Sequence, residues 1–294
     1  MPRAGHFSLD DKNAYQYWRD EKLSAYPTNM AELLVEVKNS VALTGAEKKA
    51  IIERCRKTNM LIYQFNKPVD DPADKNQLKK FTKQLGLHRL DCNLCADNDG
   101  ITSLQVTPGG QKHTYIPYST QRISWHTDGY YNTRDRQIRG MLLHCVSAAA
   151  KGGVNALLDP EIAYIHLREH NPDYIYALMR PQAMTIPANT AQGDIIRKAQ
   201  SGPVFSVAGD GHLHMRYSAR TRSIEWQNDE TGLAARDCLT AFLNSNSEYI
   251  FRHRLEPAQG LLCNNVLHNR SAFDDNGEPR LLYRARYFDR IQAA

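Results

Sequence analysis

No stretch of this 294-residue sequence approaches the apolar length needed to cross a bilayer, and its start, MPRAGHFSLDDKNAYQYW, has no apolar core behind a basic end. The expectation is a cytoplasmic protein without a membrane partner. Like charges are not gathered into tracts either. The 37 Lys and Arg are interspersed with 32 Asp and Glu, so there is no basic arm of the kind that grips nucleic acid, and none is expected as a partner. The remaining net charge of +5 slightly favours an anionic ligand. Cysteine is sparse: the six (Cys55, Cys92, Cys95, Cys145, Cys238, Cys263) are scattered, and Cys92 and Cys95 form one CxxC with no second pair at finger-like spacing. They read as structural or incidental thiols. A glycine-rich phosphate loop is missing as well, since Gly109-Gly110 and Gly152-Gly153 are isolated pairs. Nor is there a repeat, a low-complexity tract or a linker to cut the chain into independent pieces.

What is present is globular composition, 41% apolar and 23% charged, enough for a sizeable core. The expected organisation is an N-terminal extension, 1–43, packed on the core through Tyr15, Tyr17, Trp18 and Tyr26, and a single domain over 44–294. Thr44 and Glu47 make a capping box ahead of Ile51, Ile52 and Cys55, which predicts a helix. MLIYQF (60–65) predicts a buried strand, and a helix opening at Pro72 with Leu78, Phe81 and Leu85 at helical spacing stops at Gly86. IRGMLLHCV (138–146) predicts a strand, and Asp159-Pro160 starts a helix through His170, with a second after Pro172. Strands are expected at 203–207, 212–217, 249–255, 260–267 and 280–288, with a helix near 232–244. Many short strands with helices mostly in the first half predict a sandwich or barrel-like β core wrapped by helices.

Within SWHTDGYYN, His126 and Asp128 are two apart in an extended segment and project to the same side, where they can present an imidazole and a carboxylate to one metal ion. A third ligand would complete a two-histidine, one-carboxylate facial set. His268, which ends the apolar run GLLCNNVLH, is the best candidate. Downstream, RLLYRARYFDR puts Arg280, Arg284 and Arg286 on one strand face by the two-residue period. Guanidinium groups beside a core are costly to bury without anionic partners, and a carboxylate ligand is the natural one.

WHTD, the Gly152-Gly153 pair, NNVLHNRSAF and the R-L-L-Y-R strand together resemble the TauD/TfdA (taurine dioxygenase) family over roughly residues 55 to 290. The resemblance implies a double-stranded β-helix, a jelly roll of the clavaminate synthase kind, in a mostly β protein with helices. It implies Fe(II) held by His126, Asp128 and His268, with 2-oxoglutarate and O2 as co-substrates. Arg280, twelve residues after His268, fits the arginine that binds the distal carboxylate of 2-oxoglutarate. Asn155 stands where the family usually has a threonine on that carboxylate, and its amide can donate the same bond. Arg284 fits the position that grips a substrate anion. An insertion around Asn276-Gly277 would shift the register and give Arg284 the co-substrate instead.

The family's substrate region corresponds to residues 85–106, where His88 is a candidate. Arg216, Arg220, Tyr130, Tyr131 and Asn132 are candidates for the pocket lining. The implied reaction oxidises, most naturally hydroxylates, a small anionic or zwitterionic molecule and yields succinate and CO2; Asp128, a carboxylate that halogenating relatives lack, favours this outcome. A zinc hydrolase using the same His/Asp/His set is the alternative, but it leaves the arginine strand unexplained. A homo-oligomer is compatible with everything above.

Overall fold

The computed structural model describes residues 5–67, 75–92, 97–107, 115–191, 194–220, 224–277 and 279–292. The opening at Pro72 of the helix expected up to Gly86, whose body is found at Asn76–Lys83, the thiol of Cys95 and the Gly109-Gly110 pair lie outside the described residues. Among those described, the α-helices are α1 (Lys12–Leu23), α2 (Gly45–Thr58), α3 (Asn76–Lys83), α4 (Pro160–His170), α5 (Pro172–Leu178) and α6 (Glu230–Leu243). No described helix is long and apolar enough to cross a membrane. Contacts divide the chain into two compact units, one of residues 1–26, 125–137 and 158–250, the other of 27–124, 138–157 and 251–294. The stretch read as an N-terminal extension is thus shared between them.

The second unit is built on a six-stranded sheet in the order Leu34–Val37, Met60–Phe65, Gln259–Cys263, Gly140–Ser147, Leu281–Tyr287, Thr102–Leu104. Its first pair is parallel and the others antiparallel. The helix over 45–58 forms as its capping box predicts, with Thr44 and Glu47 satisfying each other's backbone amides. Ile51 and Cys55 of α2 and Leu78 and Phe81 of α3 bury against Leu61, Tyr63, Leu142, Leu262, Tyr283 and Ala285 of the sheet. Gly260 is paired with Tyr63 on one side and His144 on the other. A Cβ there would lie 2.2 Å from the Tyr63 hydroxyl, so only glycine lets the phenol cross the strand. The reward is a 2.9 Å hydrogen bond between the Tyr63 hydroxyl and His144 Nδ1 in a site where His144 is 1% exposed.

GLLCNNVLH departs from the single strand expected over 260–267. The strand stops at Cys263, Asn265 takes a left-handed φ of 54°, and a separate strand, Leu267–Arg270, follows. Asparagine tolerates that conformation, and its side chain donates to the Ile138 carbonyl at 2.8 Å, holding the break. His268 therefore belongs to a different, four-stranded sheet, ordered Phe251–His253, Asn155–Leu158, Leu267–Arg270, Ile123–His126.

In the first unit, Asp159 caps α4 through the Glu161 amide, with Pro160 at the first helical position. The same Asp159 and Glu161 enclose the buried Lys22 ammonium of α1 at 2.7 and 2.6 Å. Burial alone would lower the Lys22 pKa, but the two carboxylates raise it. Around this clasp Phe7, Tyr15 and Trp18 pack their rings on Tyr164 of α4. Short antiparallel pairings follow α5: Phe205–Val207 pairs with Leu213–Met215, within the strands expected at 203–207 and 212–217, while Met184–Ile186, which the sequence did not reveal, lies between Gln200–Gly202 and Glu225–Trp226.

Burial holds the His144 imidazole neutral, with its pKa lowered from 6.5 to about 4. A base whose folded pKa is depressed costs nothing above the unfolded pKa and loses stability as pH falls from 6.5 toward 4. The expected loss by pH 5 is about 2 kcal/mol. Urea unfolding midpoints at pH 7.5 and 5.0 measure it; the difference between them should shrink by that amount in His144→Phe, and an unchanged difference would acquit His144.

Candidate active site

The candidate ligand segment begins at the end of the Ile123–His126 strand. Its backbone is pinned by the segment 217–219: His126 bridges Ser218, Ala219 N donates to the Trp125 carbonyl at 2.8 Å, and Thr127 N donates to the Tyr217 carbonyl at 3.0 Å. Thr127 is fully buried, and its hydroxyl accepts from Tyr217 N at 3.1 Å. With the middle residue turned inward, His126 and Asp128 offer ligand atoms within 4.8 Å of each other. Gly129, at φ 67°, then turns the chain, closed by Asn132 N on the Gly129 carbonyl at 2.8 Å. The sequence reading assigned Thr127 no task; a hydroxyl between two candidate ligands was the available signal.

His268 is buried, and its Nδ1 lies 3.0 Å from the Val266 carbonyl. A carbonyl only accepts, so Nδ1 carries the proton and Nε2 keeps its lone pair, the tautomer a metal ligand needs. Two residues on, the buried Arg270 donates to the carbonyls of Ser119, at 2.8 Å, and of Gln121. Its guanidinium covers one ring, Phe273, at 4.7 Å, and Arg280 covers the same ring at 4.9 Å. Burial and the neighbouring Arg280 lower the Arg270 pKa to about 9.

Arg280, Asn155, Gly152, Gly153, Arg254 and Leu282 line one pocket of the second unit. The glycine pair is there for backbone reasons. Gly152 has φ 75° and a Cβ on it would sit 2.2 Å from the Ala272 carbonyl, while Gly153 takes a left-handed φ of 69°, with Arg280 Nε at ordinary contact distance, 3.6 Å, from where its Cβ would be. Asn155 is buried, as is Arg280, whose pKa is lowered by burial although Cys145 and Asp275 act to raise it. Arg254 in the same pocket already has a carboxylate, Glu256 at 2.9 Å.

The remaining candidates separate. Arg286 is 2% exposed and paired with Asp91, so the expectation that this strand face awaits a ligand fails for it: the partner is a protein carboxylate. Arg284 is half-buried, opposite Leu143 and Thr102. Arg216, expected to line the substrate pocket, is instead spent on backbone. Its guanidinium donates to the carbonyls of Tyr130, Gln200, Gly202 and Pro203 at 3.0 to 3.3 Å, and to Met184. Neutral carbonyls satisfy it without cancelling its charge, and burial lowers its pKa to about 10. His88 is exposed, with its amide on Asp289 at 2.7 Å, and does not line the Arg280 pocket. Tyr130 stands edge-on to His126, with 6.4 Å between ring centroids, and edge-on to Tyr131 at 5.2 Å. The Arg220 guanidinium reaches the Tyr130 hydroxyl at 3.5 Å, and Arg197, which the sequence reading passed over, lies 6.0 Å from the Tyr131 ring centre.

Residues 62–286 match the taurine catabolism dioxygenase TauD, TfdA family, and the chain belongs to it. Among characterised relatives, a uridine-5'-phosphate dioxygenase of an Amycolatopsis species is 30% identical over 176 residues, 58% of this chain and 62% of that protein. A uridine-5'-phosphate dioxygenase of a Streptomyces species is 29% identical over 202 residues, 65% of this chain and 71% of that one. The matched region thus spans less than two thirds of the Amycolatopsis protein. Among solved structures, a taurine dioxygenase from Burkholderia xenovorans superposes with a TM-score of 0.58 at 14% identity, covering 88% of each chain. An asparagine oxygenase in complex with Fe(II), 3-hydroxyasparagine and succinate gives 0.56 at 14% identity, over 83% of this chain and 84% of that one. These likenesses identify the fold as the β-rich, helix-wrapped double-stranded β-helix expected from the sequence.

The backbone role of Arg216 has a measurable consequence. Arg216→Lys replaces a five-donor fork with a point charge, and several buried carbonyls lose their donor at about 1 kcal/mol or more each. The expected outcome is a fall in thermal midpoint of several degrees with the KM of the folded enzyme unchanged. A raised KM at unaltered stability would return Arg216 to the substrate.

Proposed function

We propose that this chain is an Fe(II)- and 2-oxoglutarate-dependent dioxygenase that hydroxylates a small anionic metabolite, in which His126, Asp128 and His268 hold the iron. Supporting the ligand set is its chemistry: two imidazoles and one carboxylate suit Fe(II) and leave positions open. The observation that carries the reading is His268, whose Nδ1 lies on the Val266 carbonyl and so stands in the tautomer of a metal ligand, in a chain of the TauD, TfdA family. Family membership leaves the zinc hydrolase without support.

Bound iron would supply oxygen activation coupled to decarboxylation of 2-oxoglutarate to succinate and CO2. The protein's residues do the rest. Arg280 binds the distal carboxylate of the keto acid, with the Asn155 amide as a second donor, in a pocket whose low exposure strengthens the ion pair. Val266 orients the His268 ring, and Thr127 holds His126 and Asp128 to one side.

For the primary substrate the reading favours a nucleoside monophosphate, the class named for both bacterial relatives. Tyr130 and Tyr131 offer aromatic faces beside His126, and Arg197 and Arg220 offer guanidinium groups next to those rings. Stacking surface with adjacent cation is what a base and a phosphate require. A screen of uridine 5'-phosphate, other nucleoside monophosphates, taurine and asparagine for substrate-triggered 2-oxoglutarate consumption tests this, with product mass. Turnover of the nucleotide alone is expected; exclusive turnover of an uncharged or cationic compound would contradict the anionic class.

Anaerobic addition of Fe(II) and 2-oxoglutarate to metal-free protein should give a weak visible charge-transfer band, which His126→Ala and Asp128→Ala abolish with the iron stoichiometry. Arg280 and Arg284 are about 13 Å apart along the strand, too far for one carboxylate. Arg280→Ala should therefore weaken 2-oxoglutarate by several kcal/mol, while Arg284→Ala should chiefly raise the substrate KM. Loss of the keto acid confined to Arg284→Ala would reverse the assignment, and absence of the band with no 2-oxoglutarate binding would end the oxygenase reading.

A further inference from the structure

Away from the oxygenase residues, α4 and α6 bring together a second set of potential ligands. His166 and His170 are four apart on α4 and so share one face. Cys238 of α6 joins them, and one ligand atom from each of the three can be chosen so that all lie within 4.8 Å of one another. Cys238 Sγ is 3.9 Å from His166 Nε2, and the two imidazole rings are 4.2 Å apart. We infer that His166, His170 and Cys238 form a binding site for a divalent ion of the zinc class, clipping α4 to α6.

The geometry is close to that of a coordinated ion. Zinc takes sulfur at about 2.3 Å and nitrogen at about 2.0 to 2.1 Å in a tetrahedron, which sets neighbouring ligands roughly 3.3 to 3.6 Å apart. From the observed spacings, side-chain rotations on the order of 1 Å close the site, within what exposed and half-buried groups on helix surfaces accommodate. The rings are also held as ligand rings usually are. His170 Nδ1 lies 2.7 Å from the His166 carbonyl, so it carries the proton and leaves Nε2 for a metal. His166 is stacked on Phe242 of α6 at 3.9 Å and 9°, which fixes its plane toward Cys238.

Donor chemistry separates this site from the iron set. Two imidazoles and a thiolate, with no carboxylate, select zinc, cobalt or copper over magnesium, calcium or manganese. Three protein ligands leave a fourth position for water on the exposed His170 side. Binding requires the thiolate, so the Cys238 S–H proton passes to solvent as the sulfur–metal bond forms, and affinity rises with pH. A Cys–His hydrogen bond alone would explain one of these contacts; it gives no reason for His170 to be turned by its own helix toward the same point.

Cobalt(II) is the probe, because a thiolate ligand adds an intense near-ultraviolet charge-transfer band that a His/Asp/His site cannot produce. The full-length chain, stripped with chelator, is titrated with Co2+ alone. The band should saturate within two equivalents, one for each metal site, and be displaced by Zn2+. It should persist in His126→Ala and in Cys92→Ser, vanish in Cys238→Ser, and need at least tenfold more Co2+ in His166→Ala and in His170→Ala. In the His126→Ala background Zn2+ should raise the thermal midpoint, and it should no longer do so once Cys238→Ser is added; the circular dichroism of Cys238→Ser should match wild type. No band, a band that survives Cys238→Ser, or a band indifferent to both histidine substitutions would overturn the site.

Discussion

A guanidinium cannot lose its proton at any physiological pH, so a chain that buries one must build acceptors around it. Five arginines are buried among the described residues, Arg168, Arg216, Arg270, Arg280 and Arg286, and much of the architecture beside the site consists of their acceptors. Arg286 takes the Asp91 carboxylate, which ties the end of the Leu281–Tyr287 strand to the segment after α3. Arg270 draws in the turn 117–121, and Arg168 lies over the Tyr15 ring at 3.7 Å and reaches the His6 carbonyl. Arg280 shares Phe273 with Arg270 and faces a pocket. Cations of one chemical type thus divide into those enclosed by the protein's own oxygens and rings and one, Arg280, that also lines a pocket.

Much of this was legible in the chain. The capping box at Thr44, the strand at 60–65 and the Asp159-Pro160 helix start are local signals, and each formed where the residues predict. The WHTD segment and His268 were legible as ligand types in a pattern. What local signals could not supply was partnership. Nothing in MRYSARTRSIEW says that the Arg216 guanidinium will be consumed by carbonyls up to 86 positions away. Likewise, the period-2 reading put Arg286 beside a ligand because Asp91 is distant in sequence. The break in GLLCNNVLH was written in its two asparagines, since asparagine is the side chain most at ease at positive φ after glycine, yet the apolar residues around them masked it.

Two glycine positions show how a backbone can be chosen for what it leaves out. Gly260 opens a passage for the Tyr63 phenol to reach His144, and Gly152 lets the chain pass against the Ala272 carbonyl. The first serves the interior of the six-stranded sheet and the second shapes the wall of the Arg280 pocket. The Gly152-Gly153 pair, which in isolation resembles no nucleotide loop, is accounted for by the close approach at Gly152 and the left-handed φ at Gly153.

The Arg216 clamp grips only main-chain oxygens, those of residues 130, 184, 200, 202 and 203. Main-chain oxygens are common to all amino acids. Side chains along those segments can therefore be exchanged through evolution without loosening the frame that carries them. A single buried cation would then act as the fixed point about which those segments vary, and laboratory selection would do best to randomise their side chains and leave residue 216 alone.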